Sequence, residues 1–108
     1  MKVSELLKAG IFEPISLPSP DREIEGAYVG DLLSWVMGRA EAGNAWITIM
    51  SNVNVIAVAT LADVSCIILA EGVRLDSDVL STAREKGVNV FVSELPIYET
   101  AVKLGGII

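Results

Sequence analysis

The sequence contains no histidine, and that absence removes much of the chemistry a small domain can perform. Histidine is the side chain whose charge changes near neutral pH, the most frequent general acid or base, and the commonest metal ligand. A single cysteine, Cys66, excludes an intramolecular disulfide, a redox pair and a thiolate metal site. It lies in the apolar run Cys66-Ile67-Ile68-Leu69, so a buried, inert thiol is expected. No G-x-x-x-x-G-K-S/T phosphate loop, no G-x-G-x-x-G and no G-x-S-x-G nucleophile elbow occurs. Asp76 and Asp78 lack a third carboxylate at metal-loop spacing and suit the first turn of a helix instead. No metal site and no cofactor is expected. What remains is Ser, Asn, Asp, Glu and a few Arg, an inventory that argues against a free-standing enzyme.

Positive charge is also scarce. Eight Lys and Arg stand against fourteen Asp and Glu, for a net charge of −6. The basic residues are scattered, and only Arg84 and Lys86 are close in sequence. A nucleic-acid binder needs a basic face to neutralise phosphates, so no nucleic-acid partner is expected. The segment Ala42–Ala62 carries no charge, but Asn44, Ser51, Asn52 and Asn54 interrupt it. A spanning helix needs ~20 predominantly apolar residues, so no membrane association is expected. Lys2, Glu5 and Lys8 leave only a short apolar patch at the start, unlike a signal peptide, and a cytoplasmic location is expected.

The 108 residues suit one domain, residues 1–108, with one core. Hydrophobic residues make up 52%, above the usual share of roughly 45–50%. A small domain has a high surface-to-volume ratio, so part of that apolar surface is expected to meet a partner. A homodimer is the simplest such assembly.

The pattern of residues predicts an α/β fold: a central, mostly parallel sheet with helices on both faces. Val3–Ala9 reads as a short helix with Ser4 as its cap and Gly10 ending it. Ile11–Leu17 is broken by Pro14 and makes at best an edge strand. Glu23–Val29 reads as a strand and Asp31–Arg39 as a helix, with Asp31 at its positive end. Ala45–Met50, Ser65–Leu69 and Val88–Val92 are continuous apolar strands, separated by helices at Val53–Ala62 and Ser77–Lys86. Pro96 opens a last helix that runs to Leu104. The helix Val53–Ala62 is apolar almost all round, as helices buried on every side are. Either the rest of the chain covers it, or a second copy packs on its outer face.

In an open parallel sheet, ligands bind outside the carboxyl ends of the strands. The candidates there are Ser51, Asn52 and Asn54 after the first apolar strand; Glu71 and Gly72, with Arg74 beyond, after the second; and Ser93 and Glu94 after the third. The N–H groups opening the Val53 helix favour an anion. Ser51 and Asn52 serve equally well as caps of that helix, and both readings use the same atoms. Arg22, in Asp21-Arg22-Glu23, is either a candidate anion hook or half of a solvated ion pair.

The order of motifs resembles the small stand-alone proteins of the DRTGG-domain family. Met1–Leu7, Asp21–Ser34 and Trp46-Ile47-Thr48-Ile49 carry the resemblance, with Asp21–Ser34 its most specific part. The positions matching the name-giving residues are Asn52-Val53 and Ala70-Glu71-Gly72, of which only Gly72 is kept. The resemblance implies a fold similar to the N-terminal domain of HPr kinase/phosphorylase and to modules beside CBS domains in some pyrophosphatases. It implies a regulatory or interaction module, with chemistry left to other domains or to a partner enzyme. Three roles follow: a homodimeric regulatory module, a sensor of a nucleotide or phosphometabolite, and, least favoured, a carboxylate-based enzyme.

Overall fold

The apolar runs form the interior of a five-stranded sheet. The computed structural model describes residues 1–108. Its strands are β1 (Glu13–Ser16), β2 (Ala27–Val29), β3 (Ala45–Thr48), β4 (Cys66–Leu69) and β5 (Val90–Val92), in the order β1-β5-β4-β3-β2. β2 to β5 are mutually parallel, and β1 joins β5 antiparallel. β3, β4 and β5 are buried on both faces, which is why they read as almost continuous apolar runs, Thr48 being the one polar residue. β1 occupies an edge and carries Pro14, where a missing N–H is tolerated.

The helices are α1 (Leu33–Arg39), α2 (Val53–Ala62), α3 (Ser77–Glu85) and α4 (Ile97–Gly105), preceded by a 3-10 helix at Val3–Ala9. They cover both faces of the sheet. On one side Val36, Val55, Ile56, Ala59 and Ala83 from α1, α2 and α3 pack on Trp46, Ile67, Leu69, Val90 and Val92. On the other, Val3 and Leu6 of the 3-10 helix and Leu104 of α4 pack on Ala45, Ile47, Cys66, Ile68 and Phe91. Strand residues alternate between the two cores, as a period of two requires.

The first helix spans Val3–Ala9 as expected, but the residues expected at the start of it and of α1 play other parts. Ser4 lies inside the 3-10 helix rather than capping it: Glu5 Oε2 accepts from the Lys2 N–H at 2.7 Å, and Lys2 bridges to Glu23. The expected strand Glu23–Val29 begins only at Ala27, directly after Gly26 at φ 82°. Asp31 does not open α1, which starts at Leu33. Its carboxylate turns to β3 instead, accepting from Thr48 Oγ1 at 2.7 Å and Ile49 N–H at 3.1 Å.

The amino edge of the sheet is closed by buried amides. Asn89 Nδ2 donates to the carbonyls of Ser19 (2.7 Å) and Ser65 (3.0 Å), and its Oδ1 accepts from Ser19 N–H at 2.9 Å. Asn44 does the same between Glu25 O (2.8 Å) and Glu41 N–H (2.9 Å). These bonds satisfy groups whose burial alone would be unfavourable. Ligand access is therefore to be sought at the carboxyl edge.

Candidate functional site: the carboxyl edge of the sheet

The candidate residues on this edge come from adjacent strand ends, because β3, β4 and β5 are in parallel register. Thr48 is paired with Leu69, and Leu69 with Val92. The chain therefore leaves the sheet three times side by side: at Ser51–Asn54, at Ala70–Gly72 and at Ser93–Leu95.

Each exit is built differently. After β3, Asn52 caps α2, its Oδ1 accepting from Asn54 N–H at 2.9 Å. The capping role foreseen for Asn52 is thus realised, and it occupies the amide oxygen. Asn54 is exposed in the first turn, and Ser51 is half-buried beside it. After β4, Glu71 and Gly72 take consecutive left-handed conformations, φ 61° and 69°. Their N–H groups donate to Leu95 O (2.9 Å) and Ser93 O (2.8 Å), so this turn is stitched to the exit from β5. Glu71 holds a conformation unusual for a residue with a side chain.

After β5, Ser93 is fully buried. Its hydroxyl lies 2.9 Å from Thr100 Oγ1 and accepts from Leu95 N–H at 3.2 Å. Thr100 Oγ1 lies within bonding distance of Leu95 O as well, at 3.1 Å. Ser93 therefore faces inward, fastening α4 to the sheet, while Glu94 is exposed above it. Sequence reasoning missed Thr100, whose hydroxyl sits in the first turn of an amphipathic helix and carries no local signal of burial.

Arg22 is not brought to this edge. Its guanidinium reaches the residue that closes α2 at the amino edge, donating to Asp63 Oδ1 (2.9 Å) and to the Asp63 carbonyl (3.1 Å). A cation there complements the negative end of the α2 dipole.

The carboxyl edge is acidic. Glu71 and Glu94 lie on the exits from β4 and β5, Asp31 bonds Thr48 at the end of β3, and Glu13 is paired with Arg74. Arg74 donates to both oxygens of Glu13, at 2.7 and 3.0 Å, and lies 3.7 Å from Glu94. The hydrogen bond from Arg74, reinforced by its charge, holds the Glu13 carboxyl below the usual carboxylate range. Glu13 and Glu94 also line a cleft of about 480 Å³, walled by Leu7, Ile11, Phe12 and Leu95. The chain has no histidine, and its one thiol, Cys66, is buried, which pushes its pKa up to about 12. The one buried hydroxyl pair, Ser93 and Thr100, is occupied internally.

Comparison with known proteins places this arrangement in a family. The DRTGG domain family matches residues 22–106. No curated protein sequence matches the chain. Among solved structures, the fold is similar to the CBS and DRTGG domains of the regulatory region of Clostridium perfringens pyrophosphatase, crystallised with the activator diadenosine tetraphosphate. The TM-score is 0.71 at 12% identity, over 95% of this chain and 45% of that one. This chain thus spans less than half of that relative, and the likeness is one of fold. No helix is long and apolar enough to cross a membrane.

Proposed function

The chain belongs to the DRTGG domain family, and from that premise we propose that it is a non-catalytic regulatory module that acts by binding protein surfaces, first of all a second copy of itself through α2. The observation that carries this reading is the outer face of α2. Val55, Ile56, Val58 and Ala59 are buried, yet Val53 and Leu61 on the same helix are 52% and 71% exposed. Leu32, just before the neighbouring α1, and Trp35 within it are 57% and 52% exposed. Exposed apolar side chains gathered on one face mark interaction surfaces more often than scattered ones do. Full burial of a Leu-sized side chain is worth ~1.5–3 kcal/mol, and a two-fold interface counts every such residue twice. A partner enzyme that this module regulates, and a cytoplasmic location, belong to the same proposal.

Sedimentation across a broad concentration range tests it. A concentration-dependent dimer that Leu61→Asp converts to monomer supports the reading. A chain that stays monomeric throughout sinks it.

A second reading is a sensor of a nucleotide or phosphorylated metabolite at Ser51, Asn52, Asn54, Glu71 and Gly72. The favouring observation is the similar pyrophosphatase region, which carries a dinucleotide activator. The start of α2 offers N–H groups that suit an anion at this edge. Ligand present at about 100 times its Kd stabilises the native state by ~2.7 kcal/mol, a clear thermal shift. A nucleotide and phosphometabolite screen without any shift retires this reading.

A further inference from the structure

The two edges of the sheet are finished differently. β1, at one end, is blunted in the ways that keep an edge strand from pairing further. Pro14 has no N–H to offer, the register with β5 is irregular between Pro14 and Ser16, and Arg84 donates to the Ile15 carbonyl at 3.2 Å. β2, at the other end, has no proline, no bulge and no basic side chain. Its register with β3 is regular, with Ala27 on Ala45, Tyr28 on Trp46 and Val29 on Ile47. The bonds to β3 run to Gly26 O from Ala45 N–H and from Gly30 N–H to Ile47 O. Alternate residues of a strand turn their N–H and C=O groups to opposite sides. Ala27 and Val29 therefore hold theirs outward, where the sheet ends.

The side chains of this edge are uncharged, and Val29 is 47% exposed. Charge gathers at its ends and is of one sign. From Glu23 to Gly38 the chain has Glu23, Glu25 and Asp31 and no Lys or Arg. Glu23 pairs with the Met1 amino group, whereas Glu25 and Asp31 are exposed and in no ion pair. Asp31 is nevertheless fixed in place. Its bonds from Thr48 Oγ1 and Ile49 N–H both use Oδ1, which leaves Oδ2 open. Arg39, the next cation along the chain, stacks 3.8 Å over the Trp35 ring instead.

We infer that the free edge of β2 takes an extended segment of a partner protein as an added strand, uncharged at its centre and with Lys or Arg at both ends. The inference rests on the regulated partner proposed for this module and is independent of α2. Main-chain bonds to Ala27 and Val29 fix the segment, and Glu25 and Asp31 select its basic ends. A second copy fits the same edge badly. The two-fold pairing that sets Ala27 on Val29 of the other copy also sets Glu25 on Asp31, once at each end. Like charges directly opposed disfavour that pairing.

NMR titration of the full chain tests the site. The probe is a capped peptide of alternating Val and Thr with a Lys at each end. It is expected to shift the amide signals of Ala27 and Val29 and to slow their exchange with solvent. The same peptide with Glu at both ends is expected to bind about tenfold or more weakly. So is the Lys peptide on the Glu25→Gln, Asp31→Asn variant, in which Asn keeps the Oδ1 acceptor that Thr48 uses. Val29→Pro deletes an outward N–H and spares the bonds to β3. It is expected to abolish binding while circular dichroism stays that of the wild type. No shift at millimolar peptide overturns the inference. Equal binding of the Lys and Glu peptides, or binding that leaves Ala27 and Val29 unmoved, overturns it as well. Exchange protection of both amides in a peptide-free dimer gives the edge to a second copy and overturns the partner assignment. Leu61→Asp is expected to bind the Lys peptide unchanged, so failure at this edge and failure of the α2 dimer are read separately.

Discussion

Replacing Gly72 with alanine isolates the backbone requirement of the turn that follows β4. Gly72 has φ 69°, and its N–H donates to Ser93 O at 2.8 Å. The left-handed region costs a residue with a Cβ roughly 1–2 kcal/mol. The new Cβ would lie 2.5 Å from Glu94 Oε2 and 3.3 Å from its Cδ. Glu94 is the free end of an exposed side chain, so a rotamer change relieves that overlap at little cost. The backbone term therefore dominates, and Gly72→Ala is expected to destabilise the domain by about 1–2 kcal/mol. For a chain of this length that lowers Tm by ~4–10 °C. Chemical denaturation of Gly72→Ala, Glu94→Ala and the double variant separates the two terms. Most of the loss should survive in the Glu94→Ala background, since it does not depend on the carboxylate. A Gly72→Ala protein as stable as wild type refutes the backbone argument. A loss that vanishes once Glu94 is truncated shows that the clash, not φ, is the requirement.

Arg74→Gln removes the guanidinium that depresses the Glu13 pKa. Because the folded pKa lies below the unfolded one, the stabilisation is present above the unfolded value and lost as pH falls through the folded value. The Tm difference between wild type and Arg74→Gln is expected to be full at neutral pH and to close in acid and in high salt; a difference unchanged by both assigns Arg74 to packing instead. Cys66, whose thiol burial raises to about 12, is expected to resist a thiol reagent at pH 8 until the domain unfolds. Native reaction at the rate of a free thiol counts against the buried β4 register.

The centre of the sheet was legible because its determinants are local. Continuous apolar runs announced β3, β4 and β5, and Gly10 and Gly87, both at positive φ, marked where helices end. What escaped was set by contacts distant in sequence. Nothing within Ile11–Leu17 shows that its strand runs antiparallel to residues 90–92, because that direction is decided by the partner. Asp31 has the look of a helix cap and is instead drawn to Thr48, seventeen residues on. At the candidate edge, the exits from β3, β4 and β5 follow from parallel topology alone and were found. The inward turn of Ser93 depends on Thr100, and the place of Arg22 on Asp63, pairings that no spacing rule announces.

The pairing of β1 with β5 has a consequence for how the chain is made. Glu13 and Pro14 find their partners in Val92 and Phe91. Those residues emerge roughly eighty positions later, which at ribosomal rates is an interval of about 4–16 s. Throughout that time β1 has no strand to join, while β2, β3 and β4 become able to associate in the order of their synthesis. A nascent segment left waiting so long is exposed to pairing with the wrong chain. Pro14 is well placed against that hazard: lacking an N–H and fixed in φ, it makes the waiting strand a poor template for its neighbours on a polysome.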